Sequence, residues 1–108
     1  MVKIMLEYLS KNDKARSINK SYHVNERQAL ILDYICEKHL SHKACHIKEI
    51  ILLKTAGSQA TLHAVTKELA KLNLIKVSIN QVDSRIKDVL PTPLAIRRLK
   101  ALVAIFQK

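Results

Sequence analysis

The chain has 108 residues, 48% of them hydrophobic, a size and composition that suit a single compact domain with its own core. Its 19 Lys and Arg residues against 9 Asp and Glu give a formal net charge of +10. A charge excess of this size indicates a polyanionic partner, either nucleic acid or an anionic membrane surface.

Nothing in the sequence is typical of a membrane-spanning or exported protein. Every uninterrupted apolar stretch is far shorter than the roughly 20 residues that cross a bilayer. Lys3 leads into a helical pattern rather than into the long apolar run of a signal peptide. In such a protein the two cysteines are expected to be reduced thiols. We therefore expect a cytoplasmic protein that does not act at a membrane.

Residues 1–22 predict an N-terminal helix followed by a basic linker. Apolar residues recur at helical spacing within residues 1–9, and they include Ile4, Met5, Tyr8 and Leu9. Residues 11–21 are polar and basic, which favours either a solvated linker or a frayed continuation of the helix. We treat residues 23–108 as the main domain and expect residues 1–22 to serve in dimerisation.

The next helix has a clear start signal. Asn25 and Gln28 form a capping box, so the helix is predicted at residues 25–40. One face, predicted to turn inward, carries Gln28, Ile31, Leu32, Ile35, Cys36 and His39.

Two shorter helices are predicted to follow. The first, at residues 46–54, would bury Ile47, Ile50 and Ile51. The second is expected at residues 59–73 with Ser58 as its N-cap. Its inward stripe would consist of Leu62, Val65, Leu69 and Leu72.

After Asn73 the apolar period changes and predicts a β-hairpin. Alternating residues of this kind are typical of a half-buried strand, and here they are Ile75, Val77 and Ile79. Residues 80–84 suit a turn, and residues 85–90 can pair back as a second strand. One side of that second strand would carry Ile86, Asp88 and Leu90. Thr92 and Pro93 then supply the N-cap and first position of a final helix that ends near Gln107.

Gly57 is the only glycine in the chain, and it lies between two predicted helices. Glycine adopts a positive φ without steric cost, so it lets one helix end and the next begin at a steep angle. Two short helices joined in this way make a helix-turn-helix, and a hairpin after them makes a winged helix. The predicted fold is mainly α with a small β-hairpin: a winged helix-turn-helix with a three-helix core and a two-stranded wing, flanked by N- and C-terminal helices.

Three stretches of the chain resemble the MarR-type winged-helix regulators. HVNERQALILDYI is similar to their opening helix, GSQATLHAVTKELAKLNLIKV to their recognition helix and the turn into the wing, and DSRIKDVLPTPLAIRRL to their wing and exit segment. The resemblance covers residues 24–102. Three positions depart from the family pattern: Pro91 replaces a leucine, and Asn73 and Ala95 each replace a glycine.

The resemblance implies a function and an assembly. It implies a transcriptional regulator, repressor-like, that binds double-stranded DNA sequence-specifically as a homodimer. Residues 1–9 and 93–107 would pack together as the dimer surface. The resemblance names neither an operator nor a small-molecule effector.

The outward face of the third main-domain helix is the first candidate DNA surface. If its apolar stripe faces the core, a rotation of 100° per residue places small and basic residues opposite. Alanines allow close approach to a groove, glutamine can pair with adenine, and histidine can reach base edges or phosphates. Backbone amides at the helix N-terminus favour a phosphate oxygen. The predicted DNA contacts are Ser58, Gln59, Ala60, Thr61, His63, Lys67 and Lys71.

An ordinary solvated helix would show a similar alanine and lysine face. The position of this helix directly after the turn and before the wing favours DNA contact. In the predicted wing, Asp83 can hold the guanidinium of Arg85, which suits a narrow minor groove or a phosphate. Lys87 would add a phosphate contact. A surface ion pair without function is the alternative interpretation of the Asp83 and Arg85 pair.

A metal- or redox-responsive switch is a rival hypothesis. Five potential metal ligands lie within eleven residues: Cys36, His39, His42, Cys45 and His46. Their spacing matches no standard zinc pattern, and Cys36 also belongs to an apolar helix stripe, where a buried thiol is common. We therefore expect no bound metal and no cofactor.

Two further classes of protein are a protein-interaction module and an enzyme. A winged helix can also serve as a protein-interaction module, for example in a replication or mobile-element assembly. An enzyme is not expected, because the pattern unites no phosphate-binding glycine loop, paired carboxylates or Ser/His/Asp set. An exposed basic face favours DNA binding, and an exposed apolar patch would favour a protein partner.

Overall fold

The computed structural model describes residues 1–53 and 55–107. Within these residues, four helices are followed by a two-stranded antiparallel hairpin and a fifth helix. The elements, in chain order, are α1 (Val2–Ser21), α2 (Glu26–Leu40), α3 (Ile47–Ile51), α4 (Gln59–Lys71), β1 (Ile75–Ile79), β2 (Lys87–Pro91) and α5 (Pro93–Phe106). This order confirms the predicted mainly α fold with a small hairpin.

Helix α1 is longer than the apolar pattern indicated. It continues through residues 11–21, so the interpretation of that stretch as a linker was wrong and the alternative of a helical continuation is confirmed. The stretch contains no Gly or Pro, five of its eleven residues are Lys, Arg or Ala, which are good helix formers, and Arg16 pairs with Asp13 one turn earlier at 3.1 Å. Within α1 no residue is buried. Neither α1 nor any other helix in the described part of the chain is long and apolar enough to span a bilayer.

Helix α2 begins as predicted. The Asn25 side chain accepts a hydrogen bond from the Gln28 amide at 2.8 Å, and the Gln28 side chain accepts one from the Asn25 amide at 2.9 Å. The capping box is therefore complete. The predicted inward face is confirmed except at its last position, where His39 is exposed. The buried residues of α2 are Gln28, Ala29, Ile31, Leu32, Ile35 and Cys36.

Helix α3 is shorter than predicted. Ile50 is fully buried, but Ile47 and Ile51 are half-buried. The helix ends at Ile51 with Leu52 as its C-cap, and the predicted end at Lys54 lies outside the described residues. One turn of helix at the edge of the core cannot bury the three isoleucines completely.

Helix α4 begins at Gln59 and ends two residues before its predicted end. Its inward stripe is confirmed, because three of its residues are buried and the fourth, at the C-cap, is half-buried. These residues are Leu62, Val65, Leu69 and Leu72. Thr66 is also buried, and its hydroxyl donates to the Leu62 carbonyl at 2.8 Å, which satisfies the polar atom.

The hairpin projects from the core, so only its base is buried. Strands β1 and β2 pair antiparallel with Val77 opposite Val89. Ile75 and Val89 are buried, whereas Ile79 is 64% exposed. The alternation of apolar and polar residues therefore predicted strand β1 correctly. It overestimated the burial of Ile79, which lies near the tip of the hairpin. Strand β2 starts at residue 87 rather than 85.

Two departures from the MarR-type pattern fit their positions. Asn73 has a φ of 61°, and asparagine enters this left-handed region more readily than most residues. Its carbonyl accepts a hydrogen bond from the Thr92 hydroxyl at 2.7 Å, which in turn caps α5 by accepting from the Ala95 amide at 3.2 Å. Ala95 is fully buried. The predicted N-cap and N1 proline of α5 are confirmed.

Arg98 of α5 is fully buried, which is unusual for an arginine. Its Nε donates to Asn19 Oδ1 of α1 at 2.8 Å, and its Nη1 donates to Asp33 Oδ1 of α2 at 2.9 Å. A buried charge needs such partners to remain stable. One side chain thus joins three helices.

The helix-turn-helix bend uses glycine as predicted. Gly57 has a φ of +149°, in the region that L side chains rarely adopt. The Arg27 Nε of α2 donates to the Ala56 carbonyl at 3.0 Å, and Ala56 is buried. A Cβ at position 57 would lie 3.4 Å from Thr61 Cγ2, an ordinary contact. The backbone angle, rather than a collision, therefore requires glycine.

Both cysteines belong to the hydrophobic core. Burial raises the pKa of the Cys36 thiol, and the Asp33 carboxylate adds to this effect. Burial also raises the pKa of Cys45 to about 12, with a hydrogen bond to Glu49 as the next cause. Thiolate is the nucleophilic form of cysteine, so neither side chain is poised to react near neutral pH.

Gly57→Ala should lower the free energy of unfolding by about 1 to 3 kcal/mol, because alanine is strained at this φ. Urea unfolding followed by circular dichroism measures the loss. A change below about 0.5 kcal/mol would show that the turn accepts a side chain, and the account of the bend would be wrong.

Both thiols should resist alkylation in the native protein. Iodoacetamide at pH 8 should leave them unmodified for at least the time in which urea-unfolded protein is fully alkylated, because burial suppresses both access and thiolate formation. Mass spectrometry counts the modified thiols. Rapid labelling of the native chain would revive the hypothesis of a thiol-based switch.

Candidate nucleic-acid interface

The outward face of α4 is exposed as predicted. Small and basic residues cover it, and within this helix no large apolar side chain is exposed. The exposed residues of this face are Gln59, Ala60, His63, Ala64, Lys67 and Lys71. The face therefore presents cations and hydrogen-bonding groups on a surface that can approach another molecule closely.

Ser58 and Thr61 fix the start of α4. Ser58 Oγ accepts a hydrogen bond from the Thr61 amide at 3.2 Å and lies 2.8 Å from Thr61 Oγ1. Ser58 is exposed and Thr61 is half-buried. The Ser58 hydroxyl thus already caps the helix and contacts the Thr61 hydroxyl, so any contact with a phosphate would be additional to that role.

Asp83 holds Arg85 at the tip of the hairpin, as the sequence predicted. Arg85 donates from Nε to Asp83 Oδ1 at 3.1 Å and from Nη2 to Asp83 Oδ2 at 3.0 Å. The Arg85 amide also donates to Asp83 Oδ1 at 3.0 Å. The hydrogen bonds from Arg85 lower the pKa of the Asp83 carboxyl. The Arg85 side chain is 89% exposed, so the pair orients a cation toward solvent.

Strand β2 of the hairpin is bound to the start of α3. His46, the N-cap of α3, forms an isolated bridge with Asp88 of β2. Its ring Nδ1 donates to Asp88 Oδ1 at 2.8 Å. The neighbouring Cys45 carbonyl accepts from the Val89 amide, also at 2.8 Å. The hairpin and the helix-turn-helix are therefore one structural unit.

A groove of about 640 Å³ runs between α3, α4 and the hairpin. It brings together four of the residues predicted to contact DNA, from two elements far apart in sequence. These four are Gln59, His63, Arg85 and Lys87. The remaining lining residues are His46, Ile47, Lys48, Ile51, Leu52 and Ile86.

The charge on this side of the molecule is mainly positive. Exposed cations lie on α3, α4 and the hairpin: Lys48, Lys67, Lys71, Arg85 and Lys87. Three carboxylates nearby have polar partners within the chain. Asp83 binds Arg85 and Asp88 binds His46, and Glu68 Oε1 accepts from Gln28 Nε2 at 3.0 Å. The available charge of the surface therefore favours a polyanion.

Sequence reasoning missed two residues of the groove. Lys48 lies on the outer side of α3, and the spacing of the three isoleucines already indicated that position. His46 was assigned to the Cys/His cluster, and its real partner is 42 residues away at Asp88. No local pattern identifies a pair at that separation.

The Cys/His cluster has no common centre. Cys36 and Cys45 are buried, His39 and His42 are exposed, and His46 is bound to Asp88. Among residues 1–53 and 55–107, no group of three or more His, Cys, Asp or Glu side chains is placed to hold a metal ion. The arrangement offers no support for the metal-switch hypothesis.

Neither a protein-family model nor a curated protein matches the sequence of this chain. Solved structures do match its fold. S. aureus MepR in complex with DNA aligns with a TM-score of 0.76 and 17% identity, over 98% of this chain and 83% of that chain. YusO from Bacillus subtilis aligns with a TM-score of 0.68 and 14% identity, over 96% and 70% of the two chains.

The heme sensor protein PefR from Streptococcus agalactiae, in complex with heme, also matches. Its TM-score is 0.67 at 18% identity, over 97% of this chain and 70% of that chain. MepR, YusO and PefR are all MarR-family winged-helix regulators. These matches extend over nearly the whole chain and include the helices on both sides of the hairpin. The protein therefore has the winged helix-turn-helix fold of the MarR-family regulators.

Proposed function

We propose that the protein is a transcriptional regulator that binds double-stranded DNA sequence-specifically as a homodimer and acts as a repressor. The observation that carries the proposal is the groove between α3, α4 and the wing, the hairpin formed by β1 and β2. It unites base-reading side chains on α4 with cations on the wing. MepR, which has the same fold, has been solved in complex with DNA.

In this proposal α4 enters the major groove of the DNA. Gln59 and His63, which line the groove of the protein, are placed to reach base edges. The side chains of Ala60 and Ala64 are small, so the backbone of α4 can come close to the bases. Lys67 and Lys71 lie further along the same face and supply phosphate contacts, which position the helix without reading sequence.

The wing supplies a second contact. Asp83 binds the Nε and Nη2 edge of the Arg85 guanidinium, which leaves the Nη1 edge for a minor-groove base or a phosphate. A guanidinium that is already oriented loses less conformational entropy on binding. Lys87, at the start of β2, adds a phosphate contact from the same side.

A protein-interaction module is less well supported. Protein interfaces have apolar or aromatic centres with few charges, whereas the exposed face of α4 consists of alanine, glutamine, histidine and lysine. Of the four apolar residues that line the groove, Ile47, Ile51 and Ile86 are half-buried and Leu52 is exposed.

A second copy of the chain is the partner we propose for α1 and α5. These helices pack against each other, and they leave large apolar side chains exposed: Val2, Ile4, Met5, Leu6, Tyr8, Leu9, Val103 and Phe106. At 100° per residue the apolar positions of residues 2–9 cover roughly 200° of the helix surface. An apolar surface of this extent is unusual on a monomer, and a two-fold dimer would cover it.

Substitutions at Arg85 and Gln59 should weaken DNA binding in different ways. Arg85→Ala should lower affinity on nearly every duplex and reduce the slope of log affinity against log salt by about one unit. Gln59→Ala should cost about 1 to 3 kcal/mol on the preferred site, much less on random DNA, and leave the salt slope almost unchanged. Fluorescence anisotropy over a salt series measures both effects, with a site selected from random duplexes.

Lys43→Ala is the charge-matched control, because Lys43 is an exposed cation in the loop after α2, outside the groove. Its effect on the salt slope should be smaller than that of Arg85→Ala. If Arg85→Ala changed neither affinity nor slope, the wing would not contact DNA. If neither Arg85→Ala nor Gln59→Ala mattered in a folded protein, the protein-interaction hypothesis would replace the present proposal.

The protein should be a dimer at tens of micromolar, with a mass by light scattering of twice the 12.3 kDa chain. Its preferred site should be a near-palindrome with half-sites about 10 bp apart, or a multiple of that spacing. Leu9→Glu should give a monomer, because it places a charge in the apolar surface of α1.

Lys3→Glu is the matched control for the dimer, since Lys3 lies on the polar side of the same helix. It should remain dimeric. A wild-type chain that stays monomeric both in solution and on DNA would exclude the homodimer.

A further inference from the structure

The loop at the tip of the wing depends on hydrogen bonds rather than on packing. Residues 80–86 connect the two strands and contain no glycine or proline. Val82 is 98% exposed, and Gln81, Ser84 and Arg85 are exposed as well. Such a loop buries little apolar surface to hold one conformation. Its shape must therefore come from its polar contacts.

Asn80 is the centre of those contacts. Its side-chain oxygen accepts from the Val82 amide at 2.8 Å and from the Asp83 amide at 3.0 Å. The backbone amide of Asn80 donates to the Ile86 carbonyl at 2.9 Å. Asparagine commonly fixes a turn in this way. The Asp83 backbone, from which the carboxylate reaches Arg85, is thus held by the Asn80 side chain.

Asp88 holds Asn80 in turn. The Asn80 Nδ2 donates to Asp88 Oδ2 at 3.0 Å, while His46 Nδ1 donates to Asp88 Oδ1 at 2.8 Å. A carboxylate beside a surface that binds a polyanion is unfavourable for binding by itself. Here each of its oxygens accepts a hydrogen bond, so its place in the wing is explained by the contacts that it makes.

We propose that Asn80 and Asp88 are positioning residues that hold the Asp83 and Arg85 pair in the orientation used for DNA, and that His46 fixes this network to the helix-turn-helix. The network runs from the N-cap of α3 to the wing tip. The role of the network in DNA binding rests on the proposed function. The restraint that the network places on Arg85 can be measured without DNA.

The first experiment titrates the Asp83 carboxyl by NMR in wild type and in Asn80→Ala. In the wild type the hydrogen bonds from Arg85 keep the pKa of Asp83 below its ordinary value. In Asn80→Ala that pKa should rise toward the ordinary aspartate value, because the pair is no longer held in one geometry. Gln81→Ala, which alters an exposed neighbour in the same loop, should leave it unchanged. An unchanged Asp83 titration in folded Asn80→Ala would overturn the proposal.

The second experiment is a double-mutant cycle on DNA affinity. Asn80→Ala should weaken binding by about as much as Arg85→Ala, on the order of tenfold. The double variant should be no weaker than Arg85→Ala alone, within about twofold, since both changes remove the same contact. Asp88→Ala should lose the same restraint, but its loss of affinity should be smaller than that of Asn80→Ala, because a carboxylate beside the DNA surface is also removed. Fully additive losses would show that Asn80 does not act through Arg85.

The two proposals fail separately. If the wild type binds no duplex, the proposed function is wrong, and the Asp83 titration alone then decides the inference about the wing. If the wild type binds and Arg85→Ala weakens binding while Asn80→Ala does not, the DNA surface stands and the positioning role is wrong. Urea unfolding of each variant tests whether the variant is still folded, so that weaker binding is not attributed to loss of structure.

Discussion

The arrangement of the whole molecule depends on one buried cation. The Arg98 guanidinium reaches Asn19 on α1 and Asp33 on α2 from its own place on α5. Transfer of a charge out of water is costly unless hydrogen bonds and an opposite charge compensate it. These contacts are satisfied only while α1 and α2 keep both partners within about 3 Å of the guanidinium, so Arg98 restrains the relative position of three helices that also pack through apolar side chains.

Helix α2 transmits that order to the groove. The same helix that carries Asp33 also carries Gln28, which binds Glu68 of α4, and Arg27, which binds the Ala56 carbonyl in the turn. Its apolar face packs against α4 and β2. The same helix therefore contacts α5 through Asp33 and contacts α4 and the turn through Gln28 and Arg27.

Local chemistry predicted most of the fold. The capping box at Asn25, the Ser58 and Thr92 caps and the bend at Gly57 each depend on residues a few positions apart, and each was read correctly. The exposed face of α4 followed from the same helical period that predicted its core stripe. The pairing of Asp83 with Arg85 is also local.

Contacts between distant segments could not be predicted in this way. Asn19, a partner of Arg98, is 79 residues away in sequence, and Asp88, the partner of His46, is 42 residues away. Arginine as a residue type also favours a surface position. The polar stretch 11–21 was ambiguous because helix propensity without an apolar face is a weak signal. The exposure of Ile79 depends on how far the hairpin extends beyond the core, which alternation alone does not encode.

In the proposed homodimer, the absence of buried residues in α1, within Val2–Ser21, makes the helical order of this segment depend on protein concentration. Most of the stability of a helix in a protein comes from the packing of its apolar face, and the apolar side chains of residues 2–9 are exposed in the single chain. When the surface that covers them is a second copy of the chain, mass action links helical order in residues 2–9 to the total amount of protein. A scarce protein then offers one groove per particle, and an abundant one offers two at a fixed spacing. Occupancy of a two-fold site would rise more steeply than the amount of protein made.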